Sequence, residues 1–147
     1  MKSFFHKIAK LKCGWNDVPL DEDAFHRLCR KHKIKVRFMP LTVHGFYNCT
    51  KGKHYIAIDN RLRPFQAAFV MYHEFAHFLM HSPSTDATES FCGSEIYTRD
   101  EQEADAFAHC ALLPLEMLKT REPEELADIF GATFFMKRLE VYERYGI

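Results

Sequence analysis

The 147-residue sequence has no bias of charge. Lys and Arg total 20, Asp and Glu total 20, and the formal net charge is zero. A chain that grips nucleic acid through its phosphates presents a strongly basic patch, so no nucleic-acid partner is expected. A long apolar run is also missing. No segment reaches the roughly 20 residues that a membrane-spanning helix needs. The stretch from Met1 to Cys13 is basic and aromatic, without the continuous apolar core of a signal peptide. There is no C-x-x-C pair, and the five cysteines, at positions 13, 29, 49, 92 and 110, leave an odd one. They read as reduced, mostly buried thiols of a cytoplasmic protein, not as a disulfide framework or a cysteine zinc site. Asn48-Cys49-Thr50 matches a glycosylation sequon, which means nothing without a secretory route. The 47% hydrophobic content is enough for one sizeable core.

What is present is an H-E-x-x-H stretch, His73-Glu74-Phe75-Ala76-His77. It lies within a predicted helix that opens at Pro64, a residue suited to a first helical turn. From there to His81 the sequence holds no Gly and no further Pro. Phe65, Ala68, Phe69, Tyr72, Phe75, Ala76 and Leu79 make this helix broadly apolar, as expected of one that crosses a core. Residues four apart share a helix face, so His73 and His77 can aim two imidazoles at one zinc ion. Glu74 then stands beside the metal's water as a general base. The bland alternative is a buried helix with two satisfied histidines, but two imidazoles and a carboxylate in so apolar a helix call for a polar reason.

A catalytic zinc site takes three protein ligands and leaves the fourth position to water. The metzincin pattern would need Gly at position 80 and His at 83; Met80 and Pro83 exclude it. His81 is a full turn past His77 and suits a helix C-terminus, where the dipole favours it. A later helix offers a carboxylate. In Thr98-Arg99-Asp100-Glu101-Gln102-Glu103-Ala104-Asp105, Thr98 and Glu101 stand at capping-box spacing, and an acidic first turn is ordinary there. The functional alternative is E-x-x-x-D. Glu101 would bind the metal, and Asp105 on the same face would accept the free ring N–H of a ligand histidine. Glu103, pointing the other way, is the alternative ligand. His109 extends the Glu101–Asp105 face by one turn, as a supporting residue or as a plain core or surface histidine.

The periodicity elsewhere predicts an α+β fold. A helix is expected over 21–33, with Asp21 near its cap and Ala24, Phe25, Leu28 and Cys29 on one face. Ile34, Val36 and Phe38 alternate with Lys35 and Arg37, giving a half-buried strand. Residues 45–48 and 53–58 read as a hairpin turning at Thr50-Lys51-Gly52. A small three-stranded, mostly antiparallel sheet therefore precedes and packs on the active-site helix. Residues 82–94 read as a loop, either a plain connector or a rim of the site. Residues 122–145 read as a helical pair turning at Gly131. Lys137, Arg138 and Arg144 are offset there by Glu140 and Glu143, so this pair is expected to pack on the core and not on DNA.

Taken together, His73-Glu74-Phe75-Ala76-His77 with His81, then Glu101-Gln102-Glu103-Ala104-Asp105-Ala106-Phe107-Ala108, then Leu112-Leu113-Pro114, resemble the ImmA/IrrE metallopeptidases. The resemblance covers about residues 20 to 145 and is far more specific than H-E-x-x-H alone. It implies a minimal, gluzincin-like zinc peptidase domain spanning 1–147, with 1–19 as an N-terminal extension and 122–147 as the packed helical pair. It implies one catalytic zinc held by His73, His77 and Glu101, with Glu74 as general base. Asp105 stands where many members have Asn. The implied activity is cytoplasmic, site-specific cleavage of a protein, often a helix-turn-helix repressor, with no nucleic-acid or membrane partner. The alternative is a catalytically weak, zinc-containing regulatory binding protein. Gluzincin-like sites pair an extended substrate with a sheet edge, here sought in 45–48 or 55–58. The group that stabilises the oxyanion stays open among Tyr47, Tyr97, His109, Tyr142 and Tyr145.

Overall fold

A computed structural model describes residues 2–81, 88–91 and 99–147. Along the chain run α1 (Lys2–Ala9), α2 (Glu22–Lys31), β1 (Ile34–Met39), β2 (Gly45–Thr50), β3 (Lys53–Asp59), α3 (Pro64–His81), β4 (Thr88–Phe91), α4 (Arg99–Leu112), α5 (Leu115–Thr120), α6 (Pro123–Phe130) and α7 (Ala132–Tyr145). The α+β architecture and the three expected strands are all there. Strand β4 adds a fourth, inside the stretch the sequence reads as a loop, and α1 and α5 are helices that periodicity did not signal.

The sheet order is β1-β3-β2-β4. Strands β2 and β3 form an antiparallel hairpin in which Thr50 faces Lys53. The two residues between them, Lys51 and Gly52, have φ of 51° and 75°. Two positive φ values in a two-residue loop give the turn whose twist matches that of the strands. β1 runs parallel to β3, and β4 antiparallel to β2. Both hairpin strands are thus interior, which corrects the expectation that 45–48 or 55–58 offers a substrate-pairing edge. Their backbone groups already bond to neighbours on both sides, and the outer strands are β1 and β4.

Helix α3 lies across the sheet with every residue from Val70 to Leu79 buried. Ile34, Tyr47, Cys49, Ile56 and Ile58 cover it from the sheet side. On another side α4 lays down a stripe of Ala104, Phe107, Ala108 and Ala111, all fully buried. Small residues at this spacing let two helix backbones approach closely, with Phe107 as the filler. Asp21 caps α2 by accepting from the Ala24 N–H at 2.8 Å. The Tyr72 hydroxyl donates to the Asp21 carbonyl at 2.6 Å, fixing α2 to α3. Phe4, Ile8 and Leu11 bring α1 and its following turn into the same core, and Trp15 stacks on Phe107 while donating to the Phe107 carbonyl.

The C-terminal pair, α6 and α7, turns at Gly131 with φ of 87°, a conformation that suits glycine. It is joined to the rest by Arg138, whose side chain is fully buried. Arg138 donates to the Leu113 carbonyl at 2.6 Å, the Ile147 carbonyl at 2.9 Å and Asn16 Oδ1 at 3.1 Å. Among the described residues, no helix is long and apolar enough to cross a membrane.

Gly45, at the start of β2, has no room for a side chain. A Cβ there would sit 2.6 Å from Val70 Cγ1 and 2.8 Å from the Ala57 carbonyl. Gly45→Ala should therefore push β2 off α3 and destabilise the protein by about 1–3 kcal/mol. Thermal or urea unfolding measures this, and an unchanged midpoint would show that β2 yields freely at this point.

Candidate metal centre

The close packing of α3 and α4 decides where their polar groups go. His73, Glu74 and His77 are buried on α3, and Glu101 is buried on α4. His73 Nε2 and His77 Nε2 are 3.3 Å apart. Glu101 spans both, with Oε1 2.7 Å from His77 Nε2 and Oε2 3.2 Å from His73 Nε2. Behind His73, its Nδ1 lies 2.7 Å from Asp105 Oδ1. Asp105 thus faces one ring nitrogen of His73, and Nε2 faces His77 and Glu101. Two imidazole nitrogens and a carboxylate converge in a nearly dry site. Such a set is stable only with positive charge at its centre, a proton or a metal ion. Its composition, two neutral imidazoles and a carboxylate, is a common donor set for zinc. His73, Glu74 and His77 also form a cluster whose ligand atoms lie within 4.8 Å of one another, close enough to share an ion.

The two carboxylates are driven in opposite directions. Burial raises Glu74 to about 7, against the smaller opposing pull of His73 and His77. Burial also works to raise Glu101, but hydrogen bonds from His73 and His77 outweigh it and bring Glu101 down to about 2. One carboxylate in this core is thus poised near neutrality to gain and lose a proton, and the other is held as an anion.

The remaining predicted residues fall into place around this cluster. Glu103 lies 3.2 Å from Arg99 Nε and lines a separate cavity with Phe4, Lys7 and His81. His81 ends α3, 3.6 Å from Asp100. His109 is buried, donates from Nδ1 to the Asp105 carbonyl at 2.7 Å and stacks on Phe134. Burial lowers its pKa, against the opposing pull of Asp105. Of the tyrosines, Tyr47 is buried and shares a 2.8 Å hydrogen bond with His54, Tyr142 is exposed, and Tyr145 lines a cavity with Asp105 and His109. Tyr97 and Thr98 lie outside the described residues. Cys13, Cys29, Cys49 and Cys110 are free thiols; burial pushes Cys29 and Cys110 up to about 12, away from thiolate chemistry. The phenylalanines beside the cluster, Phe65, Phe69, Phe130 and Phe134, carry no sequence signal beyond apolar helix faces, and Phe69 reads as core alone.

The opposed shifts have a measurable consequence in protein stripped of metal by a chelator. Glu74 titrates near 4.5 when unfolded and near 7 when folded. Between those values the folded state holds the extra proton, so stability falls as pH rises. A Glu74→Gln variant lacks this titration. Wild type should lose up to about 3 kcal/mol relative to Glu74→Gln between pH 4.5 and 7, at about 1.4 kcal/mol per pKa unit. Paired urea titrations across that range give the difference directly, and a flat difference would show that Glu74 is not desolvated.

The sequence profile of the IrrE N-terminal-like domain of the peptidase M78 family matches residues 29–146. No curated protein matches the chain. The matched span contains β1 to α7 and the three converging side chains, His73, His77 and Glu101, and the chain belongs to the IrrE N-terminal-like family of peptidases.

Proposed function

We propose that the protein is a zinc-dependent endopeptidase in which His73, His77 and Glu101 hold the metal. The observation that carries this reading is the convergence of His73 Nε2, His77 Nε2 and the Glu101 carboxylate within 2.7 to 3.3 Å. Asp105 orients His73 by accepting its Nδ1 proton, which keeps the Nε2 lone pair turned inward. When bound, zinc supplies a Lewis acid for the scissile carbonyl and lowers the pKa of its water to roughly 7.

The proton steps fall to Glu74. Its carboxylate is shielded from solvent, and burial sets its affinity for a proton near neutrality. Glu74 takes the proton of the attacking water at Oε and later delivers it to the leaving amine nitrogen. The substrate is a protein cut at an internal bond. On the family resemblance, that protein is an intracellular one, a helix-turn-helix repressor in the first instance, and the enzyme works in the cytoplasm. With β2 and β3 interior, the outer strands β1 and β4 are the edges available to an extended substrate.

Two measurements test the assignment. Purified protein should carry about one zinc per chain, lost in Glu101→Ala and kept in Glu103→Ala. Metal analysis that finds zinc retained without Glu101 overturns the ligand set. Glu74→Gln should keep its zinc and lose hydrolysis by a factor of at least about 10³. If the biological effect survives that substitution, the protein acts by contact and not by cleavage.

A further inference from the structure

Between the start of α3 and the α6–α7 hairpin lies a cavity of about 540 Å³. Phe65, Phe69 and Val70 form one wall, and Phe130, Ala132 and Phe134 the other. The rings brace one another. Phe65 meets Phe134 edge-on with centroids 5.0 Å apart, Phe130 stacks on Phe134 at 5.6 Å, and Phe69 stands edge-on to Phe134 at 6.2 Å. These contacts join the two walls at a fixed spacing. Phe65 remains 42% exposed, so the cavity keeps apolar surface in contact with solvent, and surface of this kind marks a binding site more often than a defect.

Two features place the cavity next to the proposed reaction centre. Asp105 lines it and lies 2.7 Å from His73 Nδ1. Phe69, in its wall, packs on the His73 ring with centroids 6.3 Å apart. The cavity therefore borders the His73 side of the proposed metal site. The rim is polar, with His44, Gln66 and Lys137, which suits a peptide whose backbone stays outside while one side chain enters. A second cavity shares Asp105, His109 and Lys137 but is lined by Gln102, Glu140 and Arg144, so the two differ in chemistry and only the first suits an apolar group.

We propose that this cavity receives a large apolar side chain, aromatic or long aliphatic, from the substrate residue flanking the scissile bond. The proposal rests on the peptidase reading above and names what that site selects. Phe65, Phe69, Phe130 and Phe134 are its specificity-determining residues, and the α6–α7 hairpin supplies half of the selection.

The probe is a set of blocked pentapeptides, Gly-Gly-X-Gly-Gly with X as Phe, Leu, Ala or Asp, titrated by NMR into zinc-loaded Glu74→Gln protein. The Phe and Leu peptides should bind at least about tenfold tighter than the Ala and Asp peptides. Ala132 is exposed and lines the cavity, so Ala132→Trp added to that protein should fill the space and erase the difference. Thr133→Trp, also exposed and lining the cavity, serves in its place if the first variant does not fold. Equal binding of Phe and Ala peptides, no binding of the Phe peptide at millimolar concentration, or a Phe preference that survives a filled cavity overturns the proposal. Cleavage of a peptide library by the zinc-loaded wild type separates the two readings. Cleavage without side-chain preference removes the cavity's role and leaves the peptidase. Selective binding without any cleavage removes the peptidase and leaves the cavity.

Discussion

The contact between α3 and α4 is the constraint on which the rest of the molecule depends. It must be close enough for Glu101 to reach two histidines on the neighbouring helix, and its alanine stripe makes it so. Ala104, Ala108 and Ala111 are completely buried, and each replaces a larger side chain that would hold the backbones apart. Phe107 fills the remaining space and touches Tyr72, Phe75, Phe4 and Trp15. Burial of such aromatic area is where most of the folding free energy in this region arises, at roughly 25 cal/mol per Å². That gain offsets the cost of placing two imidazoles and two carboxylates in the same core. The apolar residues stabilise the fold, and the polar cluster spends part of that stability on chemistry.

The cluster also shows how one environment gives two carboxylates different tasks. Glu74 and Glu101 are both buried and both meet His73 and His77. Glu101 lies within hydrogen-bonding distance of the two Nε2 atoms, so its anion is stabilised. At Glu74 desolvation outweighs the attraction of the same histidines. Hydrogen bonding in one case and desolvation in the other therefore separate a carboxylate held as an anion from one that keeps a proton near neutrality.

Much of this site is legible in the sequence because it is written in helical periodicity. His73 and His77, and Glu101 and Asp105, are i and i+4 pairs, and that spacing alone puts each pair on one face. The hairpin is legible for a similar local reason, since Lys51-Gly52 between two alternating runs allows few other conformations. What is not legible depends on partners distant in the chain. β4 has a composition that reads as loop and becomes a strand by pairing with β2. The parallel pairing of β1 with β3 is invisible in strands that alternate equally well either way. α1 escapes because its apolar positions sit among basic ones in a short segment, and only docking on α3 makes it a helix. Arg138 looks like one more surface cation of a helix with both charge signs, yet it is fully buried.

Arg138 ties the last helices to the catalytic half. Its guanidinium reaches the end of α4 through Leu113 and the N-terminal turn through Asn16. The Asn16 carbonyl in turn accepts from the Leu115 N–H at 3.2 Å. A buried guanidinium bonded to oxygens from three segments is costly to desolvate, and it holds its position because leaving those carbonyls bare would cost more. The preceding residue on α7, Lys137, stands at the rim of the apolar cavity, and Phe134, one turn before Arg138, forms its wall. Whatever fixes Arg138 therefore also fixes the spacing between Phe134 and Phe69, and through Phe69 the packing against His73. The C-terminal pair that the sequence reads as packing on the core also forms, in the folded chain, one wall of the apolar cavity.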